Sequence, residues 1–438
     1  MQLKHEVNHY VVRNTAASVG MSMYLLIDTL FISIAAGPLG LTALNVALPL
    51  FSLFNCLGML LGVGGAAYYS LNKIKHPERV KSTYSELMIF GISLGLLLTL
   101  AIEIFIHPLI YFLGGTAQTY QLAHTYISII AFCAPLYIAN ILSINFIRND
   151  NHPSLTMAAT LTETSSVLLI DWFFIFGLGL KMEGAALATI FSPVCSLLIL
   201  SRHRHFPQRQ LSLYWTKPRL KTIKDSAQLG LAAGINELSN GFAVFVFNII
   251  LLRIAGNYAI AAYGIISNIA LISVALANGV ALGIQPIASR EYGIHHYTNV
   301  KKAFWQGLKI TIAIGLAAFV ILTIFRSQVI ALFNYQHQAA MTKYALTGVP
   351  IYFSGAIFIN SNILMILFLT SIRAARTAFT MSLLRGYLVL APVTIILGFS
   401  VGVNGVWAAV PLTELIVSLL SAGIIGYHFR KLPSADDH

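Results

Sequence analysis

Apolar residues in this chain do not alternate with polar ones. They run in long blocks cut by short charged or glycine-rich breaks. A helix needs about 20 apolar residues to cross a bilayer, and the blocks reach that length. They predict helices over 14–36, 44–70, 86–112, 124–147, 154–176 and 184–201. After a basic stretch, further helices are predicted over 229–254, 258–288, 304–333, 346–370, 378–399 and 405–428. The expected fold class is all-α and integral to a membrane, with twelve transmembrane helices.

Composition agrees. Of 438 residues, 57% are hydrophobic and 10% charged, where a soluble domain carries about 25% charged. Twelve spans with short loops leave no room for a large extramembrane domain. The net charge of +12 would suggest nucleic acid in a soluble protein. Its distribution gives another reason. The termini and every second loop hold 21 Lys and Arg, and the opposite loops hold four: Lys181, Arg253, Arg326 and Lys343. Lys309 and Arg385 fall inside spans and complete the 27. This bias predicts that both termini are cytoplasmic, and no nucleic-acid partner is called for. The basic linker is read first as a plain positive-inside loop, with contact to anionic lipid as the other reading.

Cys56, Cys133 and Cys195 all sit in apolar runs, which implies neither a disulfide framework nor a metal site. The polar start lacks the features of a signal peptide, so the first span is expected to start insertion. There is no glycine–lysine phosphate loop, metal-ligand spacing or nucleophile motif. These absences speak against an enzyme, a cofactor and ATP-driven transport by this chain alone, and no obligate protein partner is evident.

The chain reads as a repeat. Ile74 to Lys81 recurs as Ile294 to Lys301, at an offset of 220, with Ile, His, Val and Lys in register. Gly177 to Gly184 recurs as Gly398 to Gly405 at 221. The expected organisation is a six-helix lobe over 1–201, a basic cytoplasmic linker over 202–228 and a second six-helix lobe over 229–438. Six spans is an even number, so the repeat is parallel, as in many secondary transporters.

A carboxylate inside a span costs at least ~2.5 kcal/mol, yet Asp28, Glu103, Glu163, Asp171, Glu237 and Glu414 all fall inside spans. At 1.5 Å per residue, Asp28, Asp171 and Thr189 lie at similar depth, about 8–14 Å from the outer boundary. Tyr24 shares a face with Asp28 at i−4. Together they form a candidate coupling-ion or proton site, with H⁺ or Na⁺ as the neutralising cation. Separate satisfaction of each acid is the structural alternative. Under the repeat Asp28 maps onto Asn248, Asp171 onto Pro392 and Thr189 onto Val410, so this constellation belongs to the first half only. Glu163 either lines the cavity or sits in a hydrated wall. Glu237 and Arg385 lie at similar depth, so an ion pair between them is expected, with cationic-substrate binding as the alternative role of Glu237. Glu103 with His107 reads as a structural i,i+4 pair, and Glu414 as helix packing.

These residues carry a resemblance. Leu26-Ile-Asp-Thr-Leu-Phe31, Phe146-Ile-Arg-Asn-Asp150 with Pro153, and Ile170-Asp-Trp-Phe-Phe-Ile-Phe-Gly177 followed by Gly184-Ala-Ala-Leu-Ala-Thr189 resemble segments of the MATE (multidrug and toxic compound extrusion) family. So do Gly283-Ile-Gln-Pro286 with Tyr292-Gly293, and Gly405-Val-Trp407 with Pro411 and Glu414. The resemblance implies a cation-coupled antiporter with two six-helix lobes around a central cleft. It puts the first-lobe ion site on Asp28, Asp171, Thr189 and Tyr24, and Glu237 at the helix-7 acid of many bacterial members. The family's Asn four residues before the helix-5 Asp is replaced by Val167, which removes one oxygen ligand for Na⁺. The helix-10 acid of some members is absent too, with Asn360, Ser361 and Asn362 the nearest polar groups.

The function expected is multidrug efflux across a bacterial cytoplasmic membrane by alternating access. Amphipathic, often cationic compounds leave as H⁺, or less favourably Na⁺, enters. The alternative is a lipid-linked oligosaccharide flippase of the related superfamily. Its pyrophosphate cargo would want cationic side chains, whereas Arg385 and Lys309 are the two inside spans against six acids.

Overall fold

The computed structural model describes residues 2–72, 81–150, 152–206, 209–372 and 374–431. The repeat loop at 74–80 lies outside them. The described residues are helical apart from short turns, loops and part of the linker. They divide into two compact units, Phe31–Asn248 and Met1–Leu30 with Ile249–His438.

The first unit holds the second arm of α1 (Gln2–Asn72), α2 (Thr83–Ile104), α3 (Ile106–Phe112), α4 (Tyr120–Ala131), α5 (Ala134–Asn149), α6 (Pro153–Asp171), α7 (Lys181–Leu200) and most of α8 (Leu220–Ala255). The second holds the first arm of α1, the end of α8, and α9 (Asn257–Gly293), α10 (Tyr297–Ile324), α11 (Arg326–Phe333), α12 (Ala339–Phe353), α13 (Ala356–Ser371), α14 (Ala375–Leu383), α15 (Leu390–Val401) and α16 (Val403–Lys431).

Nine described helices are long and apolar enough to cross a bilayer, and two bent pairs, α4–α5 and α12–α13, raise this to eleven. One of the nine, Leu26–Ser70, has 45 residues and a break at Gly37 (φ 65°, ψ −161°). At 1.5 Å per residue it is about twice the ~30 Å hydrocarbon thickness. It therefore has the length of two crossings, consistent with the twelve spans expected. The outer face of α2 exposes Leu96, Leu97 and Leu100, as a lipid-facing wall would.

The repeat is written in the backbone as well as the sequence. Gly256 (φ 77°, ψ −167°) repeats the Gly37 break 219 residues on. The α2–α3 break at Phe105 (φ −104°, ψ 16°) returns 220 residues later at Phe325 (φ −92°, ψ 15°) between α10 and α11. The α4–α5 pair bends by 49° and the α12–α13 pair by 48°. Pro135, at the start of α5, cannot continue the α4 ladder, and Gly355, 220 residues on, stands just before α13.

Contacts carry the first unit on to Asn248, beyond the expected boundary in the linker, for two local reasons. First, α8 packs closely on the second arm of α1. A Cβ added at Gly64 would strike the Ser226 carbonyl, one at Gly230 the Leu60 carbonyl, and one at Gly241 the Ser52 side chain. Small residues let helix backbones approach in this way. Second, the linker is fastened down. Buried Glu86, at the start of α2, accepts from the Arg219 Nε at 2.8 Å and backbone N at 3.1 Å. Ser85 Oγ donates to the Ser212 carbonyl at 2.9 Å and accepts from the Tyr214 amide at 3.1 Å. Asp150, after α5, accepts from the Gln210 and Leu211 amides at 3.0 and 3.4 Å and pairs with His203 at 2.9 Å. Burial alone would raise the Asp150 carboxyl, but the His203 ring and these amides outweigh it and hold the group below its ordinary value.

Candidate functional site

Four helices of the first unit build a polar patch among apolar walls. The α4–α5 break puts Cys133 beside α7, where its Sγ lies 3.5 Å from the Thr189 carbonyl. Two turns on, buried Asn140 donates from Nδ2 to Glu163 Oε2 of α6 at 2.9 Å. A partner of Glu163 is thus an amide in span 4, signalled in sequence only by a polar residue within a mostly apolar run. Asn140 supplies an oxygen and a nitrogen near a span that lacks the Asn expected at Val167.

Asp171 ends α6 and is fully enclosed. The chain then turns through a π-helix, Trp172–Gly177. Such turns shift side chains against the α register and recur at functional sites. Gly184 of α7 lies against this turn, where a Cβ would come 3.0 Å from the Phe174 carbonyl carbon. Counted from that contact, Asp171 and Thr189 lie within about 3 Å of each other in depth along neighbouring helices. The Thr189 hydroxyl donates to its own helix at the Ala185 carbonyl, 3.0 Å away, and part of the side chain is exposed. Asp171, Glu163 and Thr189 belong to one unit.

Asp28 is half-buried on the first arm of α1, flanked by buried Thr29 and Ser33, and falls in the other unit's segment Met1–Leu30. The side chain of Tyr24 lies outside the described residues. Glu237 is half-buried on α8, three residues after Gly234, where an added Cβ would come 3.3 Å from Cys56 Sγ of α1.

The expected Glu237 partner for Arg385 is corrected by the structure. Arg385 lies in a second π-helix, Leu384–Leu388, and its Nε donates to Glu414 Oε1 of α16 at 2.6 Å. Asn362 of α13 donates to Glu414 Oε2 at 2.7 Å, and Ser418 donates to Asn362 Oδ1 at 3.0 Å. Depth along a span says nothing of the direction in which a side chain points, and Glu414 wins by facing α14–α15. Glu414 is therefore an ion-pair member as well as a packing residue. No ion pair joins Glu103 and His107 among the described residues. The His107 ring instead packs near Tyr111 and Tyr120, at 5.1 and 5.4 Å. Lys309 faces a recess of about 530 Å³ shared with Thr298, Lys301, Lys302, Trp305 and Gln306, so its charge sits with polar neighbours on the outer face of α10.

The chain matches the family MatE over residues 15–173 and 233–396. It is 25% identical over 426 residues to the multidrug export protein MepA of Staphylococcus aureus strain MSSA476, covering 94% of this chain and 91% of that protein. Its fold is similar to that of a multidrug resistance MATE family transporter of the MOP superfamily in an inward-facing conformation. The TM-score is 0.87 at 19% identity, with 95% and 96% of the two chains covered. It is also similar to the MATE multidrug transporter DinF-BH, whose structure holds a bound ligand, with a TM-score of 0.76, 22% identity and 98% and 96% coverage.

Proposed function

The chain belongs to the MatE family and is a multi-pass multidrug efflux transporter of that family, and from this premise we propose that it is a cation-coupled antiporter. It moves amphipathic, often cationic small molecules outward as H⁺ enters, with Na⁺ as the second candidate ion. Family members are transporters, not enzymes, so the chemistry to explain is ion binding and release. The reading assigns the repeat halves 1–201 and 229–438 to two lobes working by alternating access, with 202–228 as the link. The 21 to four distribution of Lys and Arg supports an inner-membrane orientation with both termini in the cytoplasm.

The observation that carries the coupling role is the enclosed carboxylate of Asp171, at the junction of α6 and a π-turn. A charge there favours whichever state supplies a neutralising cation, and coupling requires different ion affinity in the two states. In this reading Asp28, Thr189 and Tyr24 complete the coupling set, and Glu163 with Asn140 forms its inner wall. Val167 supports H⁺ over Na⁺, because a proton needs no shell of oxygens while a hard cation does. Glu237 is assigned to attraction of cationic substrate.

The test is efflux of a fluorescent cation from vesicles under an imposed proton or sodium gradient. The proton gradient is expected to drive wild type, and Asp171→Asn and Asp28→Asn are each expected to abolish coupled efflux while the protein still inserts and binds dye. Undiminished coupling in Asp171→Asn, or dye unmoved by either gradient in inserted wild type, would sink the reading.

A further inference from the structure

Asp150, His152 and His203 form no recognisable spacing, since the third lies 53 residues beyond the first. The fold brings them together where the turn between α5 and α6 meets the start of the linker. Each offers one ligand atom, and the three atoms lie within 4.8 Å of one another. Among the described residues no second group of this kind occurs. We propose that Asp150, His152 and His203 are a binding site for a divalent transition-metal ion, with zinc as the best match, and that the bound ion clamps the linker to the α5–α6 turn.

The donor set selects the metal class. Two imidazole nitrogens with one carboxylate oxygen suit zinc and its first-row neighbours, whereas magnesium and calcium want oxygen throughout. Three protein donors leave a fourth tetrahedral position for water. Bonds of about 2.1 Å place tetrahedral donors about 3.4 Å apart. His203 Nε2 and Asp150 Oδ2 are already 2.9 Å apart, so His152 has to close a remaining distance of at most about 1.4 Å. His152 is half-buried in the turn, with its ring 5.1 Å from His203 and 4.5 Å from Phe206. That packing holds it beside the site.

The surroundings fit a resident cation. Asp150 is 3% exposed and its ion-pair partner is an imidazole rather than Lys or Arg. Arg148, Arg202 and Arg204 are exposed and keep their charges in solvent. The Gln210 and Leu211 amides already orient the carboxylate, the outer-shell support that ligating carboxylates use.

Zinc binding to the tag-free full chain in detergent, measured by competition with a chromophoric chelator, tests the site. Wild type is expected to bind one zinc, and cobalt in its place to give the intense visible bands of a four-coordinate ion. His152→Ala removes a donor that makes only ring contacts. His203→Asn removes another while keeping a donor for Asp150. Each is expected to weaken zinc binding at least about tenfold while eluting as wild type does. Zinc is also expected to slow tryptic cleavage at Arg204 and Arg209, both exposed, in wild type and not in His152→Ala. No binding by wild type, or equal binding by both variants, overturns the site. Binding that leaves cleavage unchanged overturns the clamp.

Discussion

Glu414 makes its charge tolerable with two contacts, one ionic from Arg385 and one amide from Asn362. Removing one member of a buried pair leaves the other charge without compensation, at a cost of about 3–5 kcal/mol. Arg385→Met is therefore expected to lose stability in that range in mixed-micelle unfolding. The double variant Arg385→Met/Glu414→Gln keeps the Asn362 contact and is expected to recover most of the loss. A single variant as stable as wild type would show that the pair is not buried in the native protein. Val167 supports a second expectation. It lies four residues before Asp171, one turn along the same face, where an amide oxygen would complete a sodium site. Val167→Asn is expected to strengthen the sodium dependence of efflux by about tenfold, the equivalent of one ligand contact. An unchanged sodium response would remove Val167 from the argument for H⁺. At this scale the sequence located the charged residues but not their partners. Depth is legible from residue counts, while azimuth depends on helix rotation, and Arg385 sits in a π-turn that changes that rotation.

At the level of helices, breaks and π-turns behave differently. The breaks recur at offsets of 219 and 220, at Gly37 and Gly256 and at Phe105 and Phe325. The π-turns occupy the equivalent spans 5 and 11 but sit out of register, at Trp172–Gly177 and Leu384–Leu388. The two halves thus share their hinges and differ where Asp171 and Arg385 are placed. The ends of the apolar blocks made the spans readable. The Phe105 break has a signal in Pro108, whose ring and missing N–H disrupt the ladder at Ile104, but its repeat at Phe325 has no Gly or Pro nearby and a π-turn has no residue signature, so those were not visible in sequence. The seam between α8 and α1 gives a prediction at this scale. Gly230 has no room for a Cβ beside Leu60, whereas Gly426 of α16 has nothing within 4 Å. Gly230→Ala is expected to cost about 1–3 kcal/mol through overpacking, and Gly426→Ala to be neutral or slightly stabilising, both read by unfolding in detergent. Equal effects from the two would mean that the seam does not approach closely.

For the whole molecule, the same Lys and Arg serve two purposes. They bias the loops toward one side of the membrane, and in the linker they also fasten the chain to the first unit through Arg219 and Glu86. The bias was legible because it needs only counting. The fastening was not, because Glu86 reads as an ordinary acid at a helix start until the linker is laid against it. The orientation follows from the bias alone and can be tested apart from transport. Cys56, Cys133 and Cys195 make no disulfide, so a cysteine-free background is a tractable starting point. Ser201 follows α7 just before the linker, and Gly179 lies in the turn between α6 and α7, one span away. A helix of the length of α7 separates them, about 30 Å at 1.5 Å per residue, so they must emerge on opposite sides of a bilayer. Ser201→Cys is expected to react with a membrane-impermeant maleimide only after cells are opened. Gly179→Cys is expected to react in intact spheroplasts, because its left-handed turn (φ 69°) has nothing within 4 Å to shield it. The reverse pattern would invert the chain in the membrane. The enclosed acid at Asp171 would then be reached from the other side, and the direction of ion entry assigned to it would have to be reversed as well.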